Sequence, residues 1–163
     1  MLFSRDRAAN CAVCFLLTAT SCATETPPAE AETPEGEMCE HLAEGPAQIV
    51  AASSADTAAA LPEVSKSHTR FDVDLPKDAS GTYTGYVRFA APAKGAYLLG
   101  MNAKVPVEVA LAASGTAVAP AVAVKPACAV ALYQAELALE LGTYRVKLGP
   151  AHSAKVGLLF EAK

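Results

Sequence analysis

From residue 39 onward, apolar and polar positions alternate with a period close to two. The run His68-Thr-Arg-Phe-Asp-Val-Asp-Leu75 sets Phe71, Val73 and Leu75 against Arg70, Asp72 and Asp74 and stops at Pro76. That is the pattern of a half-buried strand carrying His68 on its polar face. Short apolar segments follow at Tyr86–Ala90, Gly95–Gly100, Val105–Leu111 and Ala117–Val118, separated by Gly, Pro, Asn and Lys. The last third adds Cys128–Tyr133, Ala135–Leu139, a turn at Glu140-Leu-Gly142, Thr143–Leu148 and Lys155–Phe160. Short strands at intervals of about 8–12 residues predict an all-β fold, an antiparallel β-sandwich of about eight strands. The one helical candidate is Ala47–Leu61, between Pro46 and Pro62, where Ala favours helix but Ile49 and Val50 equally suit a first strand.

Ahead of this domain the pattern changes twice. Arg5 and Arg7 precede Cys11-Ala-Val-Cys-Phe-Leu-Leu-Thr-Ala19, an apolar stretch far short of the roughly 20 residues a helix needs to cross a bilayer. It fits the apolar core of a signal peptide. The following Ala19-Thr-Ser-Cys22 resembles the lipobox of bacterial lipoproteins, which implies a diacylated Cys22 as the mature N-terminus and a membrane anchor. Ala23, not Asp, follows that Cys, so the resemblance implies outer-membrane placement, facing the periplasm or the cell surface. Ala19 and Ser21 also satisfy a small-x-small cleavage site, which would release a soluble, secreted protein. Residues 23–37 contain three Pro, five Glu and no aliphatic side chain larger than Ala or Pro. They read as a stretched, solvated spacer. The expected division is a signal peptide at 1–21, an acidic tether at 22–38 and the β-sandwich at 39–163.

Four segments together, Arg70-Phe-Asp-Val-Asp-Leu75, Val105–Gly115, Gly142-Thr-Tyr-Arg-Val-Lys-Leu148 and Val156-Gly-Leu-Leu-Phe160, resemble the bacterial pre-peptidase C-terminal domain. The resemblance spans most of 68–161 and implies a small jelly-roll-like β-sandwich serving as an accessory, non-catalytic module. Lys104-Val-Pro stands where such domains often place aspartates, so no calcium site is carried over.

Composition narrows the function classes. The 163 residues are 52% hydrophobic but only 6% aromatic, with no Trp, enough for a core built mainly of aliphatic side chains. The net charge of −4 offers no basic excess for a phosphate backbone, which argues against nucleic acid as a partner. The charge is also unevenly placed. Residues 1–21 carry +1, 22–38 carry −5 from Glu25, Glu30, Glu32, Glu35 and Glu37, and 39–163 hold eleven charges of each sign. No G-x-S-x-G, H-E-x-x-H, P-loop or G-x-G-x-x-G pattern occurs, so the sequence predicts neither an enzyme nor a nucleotide binder.

Of five cysteines, Cys11 and Cys14 lie in the proposed signal peptide and Cys22 is the proposed lipidation site. Cys39 and Cys128 remain, an even pair that reads as a disulfide in an exported chain. A competing reading starts from Cys39-Glu40-His41, with Glu44 one turn on. There a thiolate and an imidazole, completed by Cys128 with His68 or His152, would hold zinc or copper. A disulfide would exclude its thiolates. Asp72 and Asp74 read as a solvated strand face, and Met101 as packing. The leading expectation is a non-catalytic, envelope-anchored module that meets the membrane through its lipid and another envelope protein or glycan through its surface. The alternative is a periplasmic metal-binding lipoprotein.

Overall fold

The computed structural model describes residues 33–57, 60–119 and 122–163. The proposed lipidation site Cys22, the expected signal segment and most of the expected tether lie outside the described residues. The elements are a helix α1 (Pro34–Ala43) and the strands β1 (Ala47–Ala51), β2 (Arg70–Asp74), β3 (Tyr83–Ala91), β4 (Gly95–Met101) and β5 (Val107–Leu111), followed by β6 (Ala117–Val118), β7 (Val122–Ala123), β8 (Tyr133–Leu139), β9 (Gly142–Ala151) and β10 (Lys155–Ala162). Six strands form one sheet in the order β1-β2-β10-β4-β8-β7, and four form a second in the order β3-β9-β5-β6. The fold is an all-β sandwich.

Period-two alternation builds the core between the sheets. Phe71, Val73, Leu99, Met101, Leu137, Leu158 and Phe160 face Val87, Phe89, Val109, Tyr144, Val146 and Leu148 across it. Phe89 of the small sheet stacks on Phe160 of the large one at a centroid distance of 4.0 Å and meets Tyr97 edge-on at 5.6 Å. At the Glu140–Gly142 turn, the Tyr144 hydroxyl accepts from the Glu140 N–H at 2.8 Å and donates to the Glu140 carbonyl at 2.9 Å. The side chain thereby fixes the hairpin from inside the core.

All named strand pairs are antiparallel except β1 with β2. Parallel neighbours require a long crossover, and the chain between Ala51 and Arg70 supplies it. On the way it lies along the free edge of β3, where Ser53 exchanges backbone hydrogen bonds with Tyr86, Arg88 donates to the Pro62 carbonyl, and Val64 donates to the Arg88 carbonyl. That edge is covered by the chain's own backbone. The helical alternative for Ala47–Leu61 is therefore corrected. Its first five residues are β1 and the described remainder belongs to the crossover, because pairing to β2 and β3 satisfies the backbone better than an isolated Ala-rich turn between two prolines.

The helix lies elsewhere, at Pro34–Ala43, and takes in residues 34–38 that composition assigned to the tether. Thr33 caps it, its hydroxyl accepting from the Gly36 N–H at 3.1 Å, with Pro34 in the first turn and Glu35 and Glu37 near the positive end of the helix dipole. The helix packs on the outer face of the large sheet. There Met38 and Leu42 bury against Leu98, Leu159 and Ala131, a second apolar cluster separate from the sandwich core. This explains why β10 is buried on both faces: Leu158 and Phe160 point into the sandwich, and Leu159 and Glu161 lie under the helix.

Candidate functional site

Cys39 and Cys128 form a disulfide with a Cα–Cα distance of 6.0 Å, joining α1 to the segment that leads into β8. The thiolate metal site is thereby corrected, since neither sulfur of Cys39 or Cys128 is available to an ion. The expected strand Cys128–Tyr133 is not formed: of its residues only Tyr133 is in a strand, as the first residue of β8. Cys128 is held against the helix, and pairing starts only at Tyr133. The approach to the bridge is pinned by buried Gln134, whose Oε1 accepts from the Ala127 N–H at 3.0 Å.

Three side chains from three elements meet beside this staple. His41 sits in the last turn of α1, His68 in the turn before β2, and Glu161 near the end of β10. The register of β2 against β10 pairs Phe71 with Leu158 and Asp72 with Gly157. Extended past the start of β2, it sets His68 opposite Glu161. The His68 backbone N–H donates to Glu161 Oε1 at 3.2 Å, His41 Nδ1 lies 3.1 Å from the same oxygen, and His68 Nδ1 lies 3.5 Å from it. The two imidazoles meet edge-on with centroids 5.0 Å apart.

His68 has φ +52°, in the left-handed region that costs an L-residue about 1–2 kcal/mol and that His tolerates better than most. The strain is held by its surroundings. The His68 N–H is bound to Glu161, and the hydroxyl of buried Thr69 donates back to the Ser67 carbonyl at 3.1 Å. The helix is fixed over the cluster by Arg70, which donates to the Leu42 and Ala43 carbonyls at 3.0 and 3.4 Å and forks onto Asp72 at 2.9 and 3.2 Å. A cation on the last carbonyls of α1 also suits its dipole.

Exposure falls steeply across the cluster, from 57% for the His68 side chain through 18% for His41 to 3% for Glu161. The carboxylate therefore lies at the floor of a site that opens at His68. A charge so deeply placed needs compensation. Among the described residues its ion-pair partners are the two imidazoles alone. The nearby cations serve elsewhere: Arg70 holds Asp72, and Lys163 lies 2.8 Å from Glu136 and 3.2 Å from Glu35. One nitrogen from each ring and a carboxylate oxygen come within 4.8 Å of one another, a donor set suited to a borderline transition-metal ion.

Of the sequence candidates, His41 and His68 are thus brought together, and His152 is an exposed residue outside the cluster. The third member, Glu161, carries no signal in the sequence pattern. A concavity of about 380 Å³ lies apart from this cluster on the small sheet, lined by Glu108, Ala110, Ala117, Arg145, Lys147 and their neighbours. Its polar rim is already paired, Arg145 with Asp56 at 2.6 Å and Lys147 with Glu108 at 2.8 Å. No protein-family model matches the chain, and no curated protein is similar to it.

Proposed function

We propose that the chain is a non-catalytic module of the bacterial cell envelope, held to the outer membrane through lipid on Cys22 and presenting its β-sandwich to another envelope protein or a glycan. The observation that carries this reading is the Cys39–Cys128 bridge. Structural disulfides persist in oxidising compartments, and an exported destination agrees with the apolar stretch Cys11–Ala19 and the lipobox-like Ala19-Thr-Ser-Cys22 ahead of it. The non-catalytic part of the reading draws support from the surface of the sandwich. Arg88 with Glu63, Arg145 with Asp56, Lys147 with Glu108 and Lys155 with Asp74 use their charges on each other, the usual economy of a solvated sheet. Anchoring is tested by fatty-acid labelling and membrane fractionation of the chain and its Cys22→Ser variant in a bacterial host. Acylation predicts label and membrane association for the parent and loss of both in the variant, since stable attachment takes two or more acyl chains. A parent that takes up no label would remove the lipoprotein reading.

A further inference from the structure

We propose that His41, His68 and Glu161 form a binding site for a single divalent transition-metal ion of the zinc and copper class. Ligands of a four-coordinate ion at about 2.0–2.1 Å lie about 3.2–3.5 Å from one another. The Nδ1 to Oε1 separations, 3.1 Å for His41 and 3.5 Å for His68, bracket that range, and one nitrogen of each ring lies within 4.8 Å of the other. Two imidazoles with one carboxylate favour such an ion over calcium or magnesium, which prefer all-oxygen shells.

The surroundings behave as support for these ligands. Glu161 Oε1 is oriented by the His68 N–H, His41 is carried on a helix held by the disulfide two residues away, and His68 is set by its left-handed backbone. Binding takes each ring in the tautomer with its coordinating nitrogen unprotonated, and the ion then supplies the positive charge that no Lys or Arg among the described residues brings to the buried carboxylate. Three protein ligands leave a fourth position, and the exposed side of His68 directs it to solvent.

The test uses the full chain carrying Cys11→Ser, Cys14→Ser and Cys22→Ser, with the Cys39–Cys128 bridge intact, so that no free thiol competes. Zinc and, separately, calcium are titrated by calorimetry while the ring signals of the three histidines are followed by NMR. The expected result is one zinc per chain, no calcium binding, and shifts confined to His41 and His68. Glu161→Gln should weaken zinc binding at least tenfold. Because that change touches a buried group, His68→Asn provides the cleaner variant: Asn tolerates the same backbone conformation, keeps the N–H to Glu161, and should also lose at least tenfold while still melting cooperatively in the absence of metal. His152→Ala should bind as the parent does. Absence of zinc binding, shifts centred on His152, or undiminished affinity in His68→Asn would each overturn the proposal. None of these outcomes depends on whether Cys22 is acylated.

Discussion

Asp78 accepts from the backbone N–H groups of Ser80 and Thr82 at 2.9 and 3.1 Å and from their hydroxyls at 2.6 and 2.7 Å, so one carboxylate closes the connection between β2 and β3. The Ser80 hydroxyl, with that of Thr82 next, lowers its carboxyl from the ordinary 3.8 to about 2. A group whose pKa falls on folding contributes stability above its unfolded value and loses it as pH drops through the folded one. Asp78→Asn should therefore melt below the parent at neutral pH, and the two midpoints should converge between about pH 4 and pH 2. Thermal melts across that range check it, and a gap that stays constant would show the charge to be irrelevant to the turn. At this scale the sequence was uneven evidence. His41 and His68 were visible as candidates because imidazole is rare here, three in the chain. Glu161 was not, because a Glu after Val156-Gly-Leu-Leu-Phe160 reads as the solvated end of a strand unless the helix above it is known. The alternation puts His68 on a strand's polar face, whereas its positive φ turns it out of that alternation.

The α1 packing depends on Gly100 of β4. A Cβ built there would lie 2.6 Å from Met38 Sδ, 2.9 Å from Met38 Cγ and 3.1 Å from Leu42 Cδ1, so the helix approaches the sheet closely because this position has no side chain. Gly100→Ala should cost about 1–3 kcal/mol by overpacking. Met38→Ala should cost about 2–5 kcal/mol by vacating a fully buried site. Because the new methyl enters space that the shortened side chain leaves, the double variant should lose less than the sum of the two, by about 0.5–3 kcal/mol in denaturant melts. Additive losses would mean that helix and sheet do not meet at this point. The signals of α1 were present in the sequence: Thr33 before Pro34, acids in the first turn, His41 in the last and Met38 four residues from Leu42. They were outweighed because the same stretch is rich in Pro, Glu and Gly, and a helix with only two buried residues carries almost no apolar periodicity. Strands such as β2, β3 and β9 were readable because one face of each meets the core and the other meets solvent. The double-sided burial of β10 erased that alternation.

Across the whole molecule, the sandwich core and the helix cluster are separate apolar assemblies sharing only the large sheet, and the bridge over 89 residues of sequence keeps the second in place. Closing a loop of that length removes about 4–5 kcal/mol of unfolded-state entropy in the chain model. The two parts should respond differently when it is opened. The sandwich keeps its own core and its covered β3 edge, whereas α1 is left with Met38, Leu42, the Arg70 contacts, the Glu35–Lys163 pair and the His41–Glu161 pair. Reduction of the chain with Cys11, Cys14 and Cys22 replaced by Ser should lower the unfolding free energy by about 2–5 kcal/mol, a large share of the roughly 5–15 kcal/mol typical of a domain. Under mildly reducing, native conditions the loss should appear first in α1, as faster amide exchange over Pro34–Ala43 than over β4 or β9. Peptide mapping should find Cys39 and Cys128 unreactive toward maleimide before reduction and reactive after it. Uniform loss of protection across helix and sheets would show that the bridge supports the whole domain as one cooperative unit. Protection unchanged in α1 would show that packing on Leu98 and Leu159 holds the helix without the covalent link. The outcome also sets the metal site's dependence on redox state. His41 travels with α1, so a helix released by reduction takes one of the three ligands away from Glu161, and zinc affinity should fall in step with the exchange protection of the helix.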